Sequence, residues 1–281
     1  MPSPTSATHE QSIWDQDDLR GISFSGAVLT ECSFKNCDMR NAGFRGTTVQ
    51  GCKFVDCRLD GSDFEDAELS STEFVNVSMA RSNLQRVMLL GCNLENTVLA
   101  EAALDDAMFQ GTVARSLTAP SASARRATLN GCDFLYADLS LVDFSSASLI
   151  SIEFERASFT GAVMSGAAAS NCNFEFADMT RANLETAIFR DCVFFGTRML
   201  WASAARSTFE RCDLSLAELP PSWQDWCIVK DTTYVGGDDL TIRPSGVNPP
   251  QVMPVPLYRK AATDEEKKTL LAAYLEASDR R

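Results

Sequence analysis

The sequence is poor in the groups that most enzymes rely on. It holds a single histidine, His9, close to the start of the chain, which removes histidine acid–base and triad chemistry from the body of the protein. No apolar run reaches the 18 residues of a membrane span, and the first residues lack the charged start and apolar core of a secretory signal. Phosphate loops, nucleophile elbows and metalloprotease motifs are missing as well. Bases are outnumbered, 25 Lys and Arg against 38 Asp and Glu, for a net charge of −13. That balance argues against direct nucleic-acid binding. These absences point away from an enzyme, from cofactor dependence and from a membrane partner.

What the chain has instead is a period of five. In Cys172 to Phe194 the large apolar residues are Phe174, Met179, Leu184, Phe189 and Phe194. Five is neither the 3.6 of a helix nor the 2 of a strand, so it marks an internal repeat. From Leu19 to Leu219 the register has 41 positions, of which 36 hold Leu, Phe, Met or Val. Two residues earlier lies a small side chain, and nine of the ten cysteines fall there. Two residues later lie eleven of the 15 glycines, where a tight corner suits a residue without Cβ.

A period of twenty is nested in the first. Seven of those cysteines (Cys32, Cys52, Cys92, Cys132, Cys172, Cys192, Cys212) are separated by multiples of twenty. Four pentapeptides therefore make one turn of a four-sided all-β solenoid with like residues stacked on like. Phe24, Phe34, Phe54, Phe134, Phe154, Phe174 and Phe194 are its predicted axial core, and Cys32, Cys52 and Cys172 its small wall residues. Ten coils at strand spacing give a rod ~48 Å long.

With Ala137-Asp138-Leu139, Ala177-Asp178-Met179 and Ala182-Asn183-Leu184, the chain resembles the pentapeptide-repeat family, whose motif is A(D/N)Lxx. The resemblance implies a right-handed quadrilateral β-helix over about residues 17–219. It implies little about function, because members share interior residues and differ in what faces outward. Some members mimic duplex DNA and bind DNA gyrase, and some of those protect it from quinolones.

The remaining segments are read from composition. Residues 1–16 are expected as a loose polar tail, with Ile13 and Trp14 covering the first coil. At 112–128 three successive register positions are Ala and Pro120 intervenes, which is either a coil thin at its core or a loop leaving the wall. As a loop it would be locally basic through Arg115, Arg125 and Arg126, a candidate interaction finger. Residues 220–262, rich in aromatic residues and proline, are expected to cap the last coil through Trp223 and Trp226. The capping box Thr263/Glu266 opens a short amphipathic α-helix in 263–281. Its stripe of Leu270, Leu271, Tyr274 and Leu275 must dock on its own rod or pair two subunits, leaving monomer and homodimer both open.

Cysteines stacked ~4.8 Å apart with parallel Cβ vectors suit neither disulfides nor zinc, and they read as small buried hydrophobes. Ten unpaired thiols place the protein in a reducing compartment, the cytoplasm. The carboxylates of the repeats lie on outer walls and read as solvated surface. The function expected is a non-catalytic scaffold with a protein partner. The alternative is a gyrase-directed DNA mimic. The tract 17–219 carries 27 acids against 17 bases, whereas ~48 Å of duplex would carry about 28 charges. Mimicry therefore requires acids gathered on one face and bases on another.

Overall fold

A computed structural model describes residues 8–220, 223, 227–236, 240–242 and 251–253, with side chains described to residue 233. The chain is an all-β parallel solenoid of about eleven turns. Twelve three-residue strands, one per turn from Thr8–Glu10 to Ile228–Lys230, form a single parallel sheet along the first wall. Each residue pairs with the one twenty positions away, as in Leu29↔Val49 and Phe189↔Phe209. On the second wall Ile13–Asp15, Ser33–Lys35, Lys53–Val55 and Glu73–Val75 form a four-stranded parallel sheet, which thins to one bridge per turn from Asn93 to Asp213. The third and fourth walls are held by single-bridge columns, Asp18↔Asp38 onward and Ser23↔Gly43 onward.

From Gln11 to Asp231, every described corner position two residues after a register residue has a positive φ, Gly or not. At most corners the register carbonyl also accepts from the amide three residues on, as in Phe24 C=O from Ala27 N–H at 2.9 Å. A positive φ at the third residue of such a turn is the type II arrangement, which glycine enters at no steric cost. Elsewhere Asn, Asp, Ser, Arg and even aromatic side chains adopt it, their side chains free to point outward. The cysteines mark a different corner. None of the nine in-register cysteines closes that backbone bond. Instead the thiol lies under the corner and, in eight of the nine, donates to two carbonyls, as Cys52 Sγ does to Leu29 O (3.4 Å) and Gln50 O (3.5 Å); Cys132 Sγ donates to Asn130 O alone. Thr72 occupies the same column and bonds in the same way, to Val49 O and Ser70 O.

The axis is filled as the register requires. Phe24, Phe34, Phe54, Phe154, Phe174 and Phe194 are fully buried and Phe134 is 3% exposed. Rings stack coil on coil: Trp14–Phe34–Phe54–Phe74 at 4.4–4.9 Å and within 4° of parallel.

Three expectations change. The segment 112–128 does not leave the wall. Val113, Thr118 and Ser123 continue the bridge columns, and Ala114, Ala119 and Ala124 are buried in register. Pro120 fits because it sits second in the turn closed by Ala122 N–H to Ala119 O, where φ near −65° is wanted and no N–H is needed. The neighbouring rings adjust to the thin coil, with Phe109–Phe134 and Phe134–Phe154 tilted rather than stacked. The tail is also shorter than expected. Thr8–Glu10 and Ile13–Asp15 already belong to the first coil, which His9 and Trp14 close by edge contacts to each other (5.6 Å) and to Phe24. At the other end the coil runs past Leu219. Ile228–Lys230 and Thr233–Gly236 extend both sheets, giving eleven turns where ten were expected, and Trp223 packs edge-on against Phe209. The second-wall sheet then turns antiparallel through Leu240–Ile242 and Gln251–Met253. The other predicted cap, Trp226, and the helix with Leu270, Leu271, Tyr274 and Leu275 lie outside the described residues.

Candidate interaction surface

On each wall the two residues flanking a register position point outward, and the corner residue stands beyond them. A sequence separation of twenty therefore becomes adjacency on the surface. Ion pairs use it repeatedly: Arg86–Asp66, Arg126–Asp106 and Arg211–Asp191 each close at 2.7 Å, and Arg125–Asp105 at 2.8 Å. The arginine beside each of Asp66, Asp106 and Asp191 holds that carboxyl below the usual carboxylate range. At Asp105 burial pushes upward, but hydrogen bonds from Ser123 and Arg125 outweigh it.

Arg115 thus stands apart from Arg125 and Arg126, which adjoin one another on an ordinary coil, so the three do not form a finger. Arg115 bonds Asp133 on the second wall at 2.6 Å, Arg125 sits on the fourth wall, and Arg126 stands at the following corner. Acids are likewise distributed. The second wall has Asp133, Glu153, Glu155 and Glu175, but Arg115 and Arg156 stand among them. The third and fourth walls alternate acids with Arg20, Arg40, Arg58, Arg45 and Arg86.

Eight of the ten thiols are raised above the ordinary cysteine value by their surroundings, while a hydrogen bond with the Cys192 thiol lowers Cys172. Nine are buried and all ten are unpaired. Burial pushes Cys52 up to about 12 and Cys57 up to about 11, so neither is a thiolate near neutrality. Among the described residues no group of three or more His, Cys, Asp or Glu is placed to hold a metal, and no helix is long and apolar enough to cross a membrane.

Two surfaces stand out. The first wall, between Met88 and Asn171, presents no ionised side chain over five coils: its outward residues are Met, Leu, Gln, Thr, Asn, Ser, Ile and Ala, with Gly, Ser or Asn at the corner. Arg86, Asp106 and Arg126 stand along its other edge, and both arginines are paired. The third wall, opposite, is edged by apolar groups over the coils from Tyr136 to Trp201. One edge carries Tyr136 and Phe176, and Arg156 lies over the Phe176 ring at 5.1 Å. The other carries Leu141 and Trp201, with Arg181 over the indole at 5.7 Å. Trp201 is 70% exposed, Leu141 61% and Tyr136 57%. Two glycines make room for these rims. A Cβ at Gly196 would come within 2.6 Å of the Phe176 ring, and one at Gly161 within 2.8 Å of Leu141. Between the rims the floor is polar, with Asp138, Ser140, Ser158, Thr160 and Asp178.

Sequence reasoning by column did not find these rims, because corner residues follow no repeat. The available signal was the outliers themselves, apolar residues at 136, 141, 176 and 201 in a column otherwise of Gly and polar residues apart from the buried Leu216.

Comparison with known proteins agrees with the geometry. The family model for a pentapeptide repeat region matches residues 7–84, and that for pentapeptide repeats matches 78–113, 122–161, 137–175 and 157–196. No curated protein sequence matches the chain significantly. Similar solved structures include HetL, a pentapeptide repeat protein involved in heterocyst differentiation regulation from Nostoc sp. strain PCC 7120 (20% identity, 76% of this chain and 90% of that one, TM-score 0.39). Full-length QnrB1, a plasmid-mediated fluoroquinolone resistance protein, is 17% identical over 82% of this chain and 92% of that one, at a TM-score of 0.31. A pentapeptide repeat protein of the Arabidopsis thaliana thylakoid lumen is 16% identical over 36% of this chain and 67% of that one, at 0.30. By the family models, which together span well over half of its length, the chain belongs to the pentapeptide repeat family.

Proposed function

We propose that this protein is a non-catalytic scaffold whose third wall grips a protein partner between its two apolar rims. The observation that carries the reading is the exposure of Trp201, Leu141 and Tyr136 around a polar floor on a rigid wall. Tryptophan and tyrosine dominate binding energy at protein interfaces, and clustered exposed apolar groups mark contact sites. Phe176, Leu141 and Trp201 are held by the glycines and arginines packed against them, so these side chains need little ordering on binding. The ten unpaired cysteines support a cytoplasmic setting.

The experiment is affinity capture from a lysate of the native cell, with wild type and Trp201→Ala/Leu141→Ser as baits. Both side chains are exposed, so the variant should fold as wild type by circular dichroism. The reading expects a protein retained by wild type and lost with the variant. An identical captured set for both baits would overturn it.

The DNA-mimic reading draws on the net charge of −13 and the acidic run on the second wall. The interspersed, paired arginines weigh against it, because a duplex presents phosphates without counter-charges of its own. A gyrase supercoiling assay, with and without a quinolone, separates the two. The scaffold reading expects neither inhibition nor drug protection at micromolar protein, and either effect would reinstate the mimic.

A further inference from the structure

We propose that the first wall is covered by a second copy of this chain, stacked face to face with the two solenoid axes antiparallel. This concerns the wall opposite the partner site and does not rest on the reading above. The two-fold axis would run along the strands, midway between Met108–Gln110 and Thr128–Asn130.

The occupant is argued from how the wall matches itself. Turned about that axis, each outward side chain meets the one at the same strand position on the coil reflected through the midpoint. Bulky residues before the midpoint then meet small ones beyond it: Met108 faces Thr128 and Met88 faces Ser148. Leu90 faces Ile150, which is 38% exposed, so the two large aliphatics beside those pairs cover one another. Stacking with parallel axes would set each coil on itself, with Met88 on Leu90 bulky on bulky and Ala168 on Ser170 small on small, which hinders interdigitation there.

Charge points the same way. The centre of the wall is uncharged, so the repulsion expected between two chains of net −13 is not focused there. At the ends, Glu10 of one copy meets Lys230 of the other. Both are exposed, and among the described residues neither forms an ion pair within its own chain. No outward pair along the wall brings like charges face to face.

The area is sufficient only if the whole wall is used. Twelve strands at ~4.8 Å, each ~10 Å wide, bury roughly 1,150 Å² over both copies, just above the ~1,000 Å² expected of a specific interface. The five uncharged coils alone would supply less than half of that. A dimer built this way leaves both third walls facing outward in opposite directions, so the scaffold becomes bivalent.

Sedimentation velocity of the full chain from about 5 to 300 µM is the test. Wild type should shift from monomer towards dimer across that range. Met108→Lys, exposed and next to the axis, should weaken association by more than about tenfold, because two ammonium groups are brought together and desolvated. Glu10→Lys and Lys230→Glu should each weaken it several-fold, and the double swap should restore it. A wild type that stays monomeric, or a Met108→Lys variant that dimerises like wild type, would overturn the proposal. Loss with Met108→Lys but no restoration by the double swap would overturn the antiparallel arrangement.

Discussion

At the scale of the residue, the fold is decided by one side chain in five. Phe174 has no exposed surface and lies between Phe154 at 5.1 Å and Phe194 at 4.9 Å, both stacked on it. A carboxylate there finds no partner, and an isolated buried charge costs far more than the few kcal/mol that hold a domain together. Phe174→Asp is therefore expected to abolish the folding of at least the adjoining coils, seen as lost β signal in circular dichroism. A melt like that of wild type would remove Phe174 from the axis. The thiols give a second check at this scale. With Cys52 and Cys57 pushed up to about 12 and about 11 by burial, native protein should react with a thiol reagent at pH 8 far more slowly than protein in denaturant. Full, rapid labelling without denaturant would contradict the column assignment.

At the scale of the element, the register of large residues and the twenty-residue columns were legible in the sequence, because burial fixes them. What was not legible followed from tolerance at the corners. The stretch 112–128 read as either a thin coil or a loop, because Pro120 and three alanines look like loop composition. In a solenoid the alanines keep a register that neighbouring rings can lean into, and a proline suits the second position of a type II turn. Similarly, His9 read as tail because it follows no Leu/Phe pattern, yet an end coil needs broad side chains as a lid; of the two residues expected to cover that coil, Trp14 packs on Phe24 and Phe34 while Ile13 is 77% exposed. The rims at Tyr136, Leu141, Phe176 and Trp201 were hidden because exposed corners accept nearly any side chain. The cysteines were recognised as buried, but their restriction to corners without the closing backbone bond became visible only with the hydrogen bonds drawn.

At the scale of the whole molecule, stability should depend on acid in a defined window. Hydrogen bonds from Arg20 bring the Asp18 carboxyl down to about 2, and Asp38, Asp66, Asp106 and Asp191 are lowered by their arginines. A carboxylate with a depressed folded pKa adds stability that is present above its unfolded value, near 3.9, and is lost as pH falls towards the folded one. The thermal midpoint should therefore drop between about pH 4 and pH 2. A midpoint that rises over that interval would show that relief of the net negative charge outweighs the pairs. These pairs are exposed, so 1 M salt should screen them and flatten that drop.

The central claim is that twenty residues make one turn, without interruption, through 112–128. Two deletions test it. Removing residues 112–131 takes out one whole coil and joins Gly111 to Cys132 in register, so the protein should fold and melt cooperatively, close to wild type. Removing residues 112–128 shifts every later column by three and should leave the C-terminal half unable to stack on the N-terminal half, with a large loss of β signal. If instead the shorter deletion folds as well as the longer one, the segment is an expendable loop and the continuous solenoid is wrong.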